Sequence, residues 1–136
     1  MTDKEKDTST YISFYLSDNT IRIFKSTVRK LGTPPFLQFL IHPNGQSMVM
    51  QPCDTRSFTT IRVPKNLYSD NGKTQAYSKG LCRLLANKLN WDINCSYRIP
   101  GRLIPQQKLV VYDLSQATVI SQSSSYNPDL TLRNER

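Results

Sequence analysis

Apolar and polar residues alternate at residues 11–16 and again at residues 20–23, which is the spacing of β-strands. A short basic helix is predicted at residues 25–31, because Gly32 is placed to end it and two prolines, which cannot continue a helix, follow closely. The most apolar run of the chain, residues 36–41, predicts a central strand that is buried on both faces. This strand opens a hairpin with an Asn-Gly turn.

A second series of segments follows in a similar order. Residues 58–63 predict a strand, and residues 65–75 predict a polar surface loop. A helix is predicted at residues 78–90, with a serine N-cap and an apolar stripe at helical spacing. The last hairpin, at residues 96–114, is predicted to turn near Gly101, and a short edge strand is predicted to follow it.

The two series predict one α+β domain over residues 11–120, with an antiparallel sheet and two helices. We interpret them as an internal duplication of a β-α-β-β unit, at residues roughly 20–54 and 58–114, related by a pseudo-twofold axis. Residues 1–10 and 121–136 are polar and lack a core-forming pattern, so both are expected to be disordered tails. A length of 136 residues fits a single domain.

The chain is strongly basic, with a formal net charge of +8 and an isoelectric point near 9.6. Such a charge favours anionic partners. Its distribution is also informative, because no Asp or Glu lies between Asp18 and Asp54, or between Asp70 and Asp92. Ordinary solvated helices mix both signs of charge, so two acid-free helices favour a nucleic-acid partner.

Groups suited to catalysis or metal binding are sparse. The acidic residues are scattered singly, and the one histidine, His42, precedes a predicted turn. Three cysteines without paired spacing indicate neither a disulfide framework nor a zinc site. We therefore expect no enzyme activity, no cofactor and no metal. The charged N-terminus and the lack of a long apolar run predict a cytoplasmic protein that does not enter a membrane.

DNA is the leading predicted partner, bound without catalysis. Basic side chains of the two helical regions would contact phosphates, namely Arg22, Lys25, Arg29, Lys30, Lys79, Arg83 and Lys88. Arg29 and Arg83 are favoured among them, because the planar guanidinium holds a phosphate through two hydrogen bonds. Asn87 would read a base edge, and Arg98 and Arg102 of the last hairpin would add further contacts.

Two alternatives remain open from the residues alone. In the first, the chain is a protein–protein adaptor for an acidic partner, with a partly exposed apolar patch at Phe36, Phe39 and Met48. In the second, it binds RNA or another single strand. That function needs Tyr97 and Arg98 exposed on the sheet, where both could stack on unpaired bases.

Residues 22–32 resemble the signature of the AbrB/MazE-like transcription factors, in which an arginine, a strand, a Pro-Lys pair and an Arg-containing turn precede Leu-Gly. Residues 62–67 supply the Pro-Lys pair, and the first segment matches at Arg22, Lys25, Arg29, Leu31 and Gly32. The resemblance implies a homodimer whose interlocked hairpins present Arg22, Lys25, Arg29 and Lys30 to the major groove of DNA.

The whole chain is also similar to a protein type of mobile elements in Gram-positive bacteria. That protein type carries no known activity, and our hypothesis for this chain is DNA binding as a transcriptional regulator or an accessory protein of such an element. The doubled β-α-β-β plan is similar in architecture to a subdomain of sliding clamps and TATA-binding proteins, which by itself implies no function.

Overall fold

The computed structural model describes residues 8–64 and 72–122. Within these ranges it contains nine strands: β1 Ser9–Tyr15, β2 Thr20–Phe24, β3 Phe36–Ile41, β4 Ser47–Cys53, β5 Thr60–Arg62, β6 Lys73–Tyr77, β7 Cys95–Ile104, β8 Leu109–Asp113 and β9 Thr118–Gln122. The helices are α1 Lys25–Lys30 and α2 Lys79–Leu89. Single 3₁₀ turns at Pro105–Gln107 and Leu114–Gln116 flank β8. Most of the two predicted tails lies outside the described residues.

The strands form one antiparallel sheet in the order β5-β3-β4-β8-β7-β1-β2-β6. Strand β9 continues beyond β8 along the same long strand, β7. The two ends of the order, β5 and β6, lie against each other. The sheet is therefore a nearly closed barrel.

The predicted α+β class is wrong. Strands hold 49% of the structure and helices 21%, so the fold is a mostly antiparallel, barrel-like sheet with two short helices. One cause is β6, which was assigned in large part to a polar loop. Its inward positions carry only the small residues Thr74 and Ala76, between the outward polar residues Lys73 and Gln75. The apolar signal of a strand is therefore weak there, and pairing with β2 determines its conformation.

The two helices lie at opposite ends of the barrel. Helix α1 begins directly after β2, and α2 begins two residues after the end of β6. Strands β2 and β6 are antiparallel, with Thr20 opposite Tyr77 and Phe24 opposite Lys73. The helices therefore leave this strand pair in opposite directions, one from each end.

The strand neighbours follow a repeated scheme. The order strand–strand–helix–strand–strand occurs once from β1 to β4 and once from β5 to β8. If β1 to β4 are exchanged in order with β5 to β8, the β3–β4 pair becomes β7–β8 and the β3–β5 pair becomes β7–β1. The β4–β8 and β2–β6 pairs map onto themselves. The β1–β2 ladder corresponds in this exchange to the contact between β5 and β6, which closes the barrel.

The barrel interior holds the hydrophobic core. Its largest fully buried side chains are Ile12, Phe14, Ile21, Ile23, Leu37, Phe39, Met48, Met50, Leu81, Leu85, Ile99 and Tyr112. Strand β3 contributes Leu37 and Phe39 to this core. The next residue, Leu40, points to the outer face of the sheet and is 45% exposed. The prediction that β3 is buried on both faces is therefore wrong, because no described element covers the outward face of the sheet at Leu40.

Several local predictions are confirmed. Ser78 is the N-cap of α2, since its Oγ accepts a hydrogen bond of 3.1 Å from the backbone N–H of Leu81. Gly32 follows α1 with a φ of 91°, and Gly45 forms the hairpin turn with a φ of 74°. These signals depend on one or two neighbouring residues, so they do not need the rest of the fold.

The predicted turn near Gly101 is wrong, because β7 continues through it to Ile104. Gly101 lies opposite Tyr112 of β8, and a Cβ atom at position 101 would lie 2.5 Å from Cδ1 of that buried ring. Pro100 lies between the part of β7 that pairs with β9, up to Arg98, and the part that pairs with β8. The Pro-Gly pair therefore marks a break between two partner strands and a close approach of Tyr112.

Replacement of Gly101 by Ala tests this assignment. The added methyl would collide with the Tyr112 ring and approach the Val111 carbonyl oxygen to 2.9 Å. We expect the free energy of unfolding to fall by about 1–3 kcal/mol, the usual cost of overpacking a core. Denaturant unfolding followed by tryptophan fluorescence measures this loss.

The matched background is Tyr112→Leu, which removes the ring that the methyl would meet. Gly101→Ala should be less destabilising in that background, because the two changes share one contact. A loss of similar size in both backgrounds would show that the glycine serves some local backbone need instead.

Candidate nucleic-acid interface

One outward surface of the barrel gathers aromatic and cationic side chains from the neighbouring strands β6, β2, β1 and β7. On β1, Ile12 and Phe14 point into the core, so the residues that alternate with them point outward. The register places Arg22 of β2 and Arg98 of β7 on either side of Ser13. We call this surface the β1 face and define it by Tyr11, Ser13, Tyr15, Arg22, Phe24, Lys73 and Arg98.

Each cation of the β1 face lies over an aromatic ring. The guanidinium carbon of Arg98 is 4.4 Å from the ring centroid of Tyr11, and that of Arg22 is 4.7 Å from the centroid of Tyr15. The ammonium nitrogen of Lys73 is 5.1 Å from the Tyr11 centroid. Contacts of this kind stabilise by about 0.5–1 kcal/mol at exposed sites. The rings thus hold three positive charges in defined positions.

Two further contacts order the same surface. The rings of Tyr11 and Phe24 meet edge to face, with centroids 4.6 Å apart. The Nε of Arg22 donates a hydrogen bond of 2.8 Å to Oε1 of Gln75 on β6. Side chains that are already held before a ligand arrives lose less conformational entropy on binding.

Two buried polar atoms at the centre of the β1 face lack a partner. Neither Oγ of Ser13 nor Nε of Arg98 has a hydrogen-bond partner among the described residues. These residues are cross-strand neighbours, and Ser13 is fully buried. An unpaired buried polar group costs about 1–3 kcal/mol, so most such groups in folded proteins are paired. Ser13 and Arg98 thus place two polar atoms without a described protein partner in the middle of the surface.

The charge of the β1 face has one sign. None of the four strands that build it contains Asp or Glu. Among the described acids, Asp18 is the one that lies in the turn joining β1 to β2. A cationic surface with aromatic rings between its charges is suited to a ligand that carries both negative charge and flat rings.

The predicted site residues are divided between this face and the two barrel ends. Arg22 and Arg98 belong to the face, and Arg102 is an exposed residue further along β7, opposite Ser9 of β1. The other predicted residues are carried by the helices: Lys25, Arg29 and Lys30 on α1, and Lys79, Arg83, Asn87 and Lys88 on α2. All of these except Lys25, which is half-buried, are exposed. Because the helices lie at opposite ends, their cations do not form one surface.

Three residues on which the two alternative functions depend are buried and not exposed. Tyr97 is buried, stacked on Trp91 with centroids 4.3 Å apart, and its hydroxyl accepts a hydrogen bond from the Asp92 backbone. Phe39 and Met48, proposed for an adaptor patch, lie in the core. An exposed patch built on those two side chains is therefore not present.

Sequence reasoning missed the aromatic half of the β1 face. Tyr11 and Tyr15 were within a predicted strand, and their alternation with Ile12 and Phe14 already placed them on one side of it. Nothing local indicated that β1 lies between β2 and β7, which brings Arg22 and Arg98 beside these rings.

The ionisable groups with the largest pKa shifts lie in the core and not on this face. Burial raises the pKa of the Cys82 thiol to about 11 and raises the pKa of the Tyr112 hydroxyl above its usual range. Residues 8–64 and 72–122 contain no group of three or more side chains suited to holding a metal ion.

No family model matches this chain, and neither a curated protein nor a solved structure matches it significantly. The AbrB/MazE-like resemblance and the homodimer that it implies therefore stay predictions. Within the described ranges, no helix has the length and apolar character needed to cross a membrane.

Replacement of Ser13 by Ala tests whether the central hydroxyl is unpaired. We expect the free energy of unfolding to stay unchanged or to rise by up to about 1 kcal/mol, because a buried hydroxyl without a partner is removed. The matched control is Thr27→Val, which removes a buried hydroxyl that is hydrogen-bonded to Thr10 Oγ1 at 3.0 Å. The control should lose about 0.5–1.5 kcal/mol. Equal losses in both variants would contradict an unpaired Ser13.

Proposed function

We propose that this chain is a non-enzymatic nucleic-acid-binding protein that takes a single strand across its β1 face. The observation that carries the proposal is the alternation of Arg22, Lys73 and Arg98 with the rings of Tyr11 and Tyr15 on four acid-free strands. Cations contact the phosphates, and rings or guanidinium planes stack on unpaired bases. Stacking on one base contributes about 1–3 kcal/mol.

A single strand fits this surface better than duplex DNA, the partner predicted from the sequence. The bases of a duplex are stacked on one another, so rings on a barrel wall do not reach their flat sides. A duplex reader commonly inserts a helix or a two-stranded ribbon into the major groove. Here the basic helices lie at opposite ends, and α1 has only six residues.

We also place this activity in the cytoplasm. The three cysteines, Cys53, Cys82 and Cys95, are all described and all free of disulfides. Unpaired thiols suit a reducing compartment. The proposed activity needs no cofactor. The proposed partner, a nucleic acid, is an anionic polymer that is abundant in the cytoplasm.

The decisive variant is Arg98→Gln, compared with Lys108→Gln. Both changes remove one positive charge, but Lys108 is an exposed residue in the turn between β7 and β8, away from the face. We expect Arg98→Gln to weaken binding of a fluorescent oligothymidylate by about 1.5–3 kcal/mol, the contribution of a charged hydrogen bond. The slope of log K against log salt should become shallower by about 0.7 for each lost phosphate contact.

The control should leave both quantities close to those of the wild-type protein. Equal weakening by the two variants would mean that net charge alone drives binding, which contradicts a defined site. A duplex of the same length, measured in parallel, should bind more weakly than the single strand. Tighter binding of the duplex would contradict the β1 face as the site and favour the basic helices as the interface.

A further inference from the structure

The two most exposed large apolar side chains of the described residues are both aromatic and lie near the start of α2. Phe58 is 69% exposed and Tyr77 is 67% exposed. Single exposed apolar residues are ordinary, whereas exposed apolar side chains that gather in one region mark interaction sites. Neither ring belongs to the β1 face as defined above.

Tyr77 continues the β1 face towards α2. It is the last residue of β6 and lies opposite Thr20 of β2, which in turn lies opposite Tyr15 of β1. These three outward residues form one row across the sheet. A strand lying on Tyr15 therefore reaches Tyr77 by crossing two strand spacings, about 10 Å.

Phe58 contacts helix α2, which begins two residues after Tyr77. Its ring rests on Gly80, where a Cβ atom would lie 2.9 Å from ring atom Cε1 and 3.2 Å from Cζ. Any larger residue at position 80 would push the ring away. The chain thus uses the lack of a side chain on α2 to seat an aromatic ring that is still mostly exposed.

The charges around these rings are mostly positive. Lys79 and Arg83 are exposed on α2 and lie four residues apart, so they share one side of the helix. One acid, Asp18, lies in the turn before Thr20, and the backbone of Asn19 accepts a hydrogen bond from Ser78. The charge of this region complements an anionic polymer, with Asp18 as its only described acid near the β1–β2 turn.

We propose that a bound single strand continues from the β1 face over Tyr77 and Phe58 and along Lys79 and Arg83, which together form a second binding segment. This inference rests on the proposed function and adds a direction and a length to it. A short oligonucleotide occupies the β1 face alone. A longer one gains stacking on the two additional rings.

The test compares oligothymidylates of about 4 and about 12 nucleotides, lengths within the range that small single-strand-binding domains cover. Phe58→Ala and Tyr77→Ala should each weaken binding of the longer probe by roughly 5- to 150-fold, the loss of one stacked base, and leave the shorter probe unaffected. Ile93→Ala is the matched control, because it truncates an exposed apolar side chain beyond the C-terminal end of α2, whereas both rings lie near the start of that helix. Thermal unfolding of each variant checks that the fold is intact.

The outcomes separate this inference from the proposed function. If Arg98→Gln weakens both probes while Phe58→Ala and Tyr77→Ala weaken neither, the second segment is wrong and the β1 face stands. If the wild-type protein binds neither oligothymidylate nor oligouridylate of either length, both proposals fail. Where binding is found, the comparison of oligouridylate with oligothymidylate distinguishes RNA from DNA as the preferred strand.

Discussion

The position of β1 between β2 and β7 is the constraint on which the rest of this structure depends. β1 forms an antiparallel ladder with each neighbour and thereby joins the β2–β6 pair to the β7–β8 pair. Its Ile12 lies opposite Ile23 on one side and Ile99 on the other, so all three enter the core together. A slip of one residue would move Tyr11 and Tyr15 inward and expose Ile12, which makes this register strongly specified.

The same register also places the outward side chains of the β1 face. Because inward and outward residues alternate, the core positions of β1 determine which rings face outward. Arg22 and Arg98 then cover Ser13, which explains why an outward serine is fully buried. The hydroxyl loses its water without gaining a partner, a loss of stability of the kind that functional sites often retain. The register that buries the core residues of β1 thus also determines the side chains of the β1 face.

The parts of the structure that sequence predicts well are those with a local cause. Helix α2, its cap at Ser78 and the glycine after α1 depend on neighbouring residues, and these predictions are confirmed. The fold class depends on which strands pair, and β6 carries too little apolar character to be recognised without its partner β2. Arg22 and Arg98 were named as candidates, but the rings beside them come from pairing across the chain. Their convergence is a property of the sheet order, which no short segment encodes.

The ladder between β1 and β7 also has a consequence for how the chain folds. Its partners are roughly 80 to 90 residues apart in the chain, and pairing over such distances slows folding. During synthesis β1 emerges long before β7, so the aromatic residues of β1 lack one of their two neighbouring strands until β7 is made. The lysines and arginines that later lie over these rings are absent from β1 itself, although Arg22 emerges soon after it. Charges next to an aromatic strand discourage its pairing with other chains. Of the three cations of the β1 face, Arg22 and Lys73 therefore emerge early enough to discourage such pairing, whereas Arg98 emerges only with β7 itself.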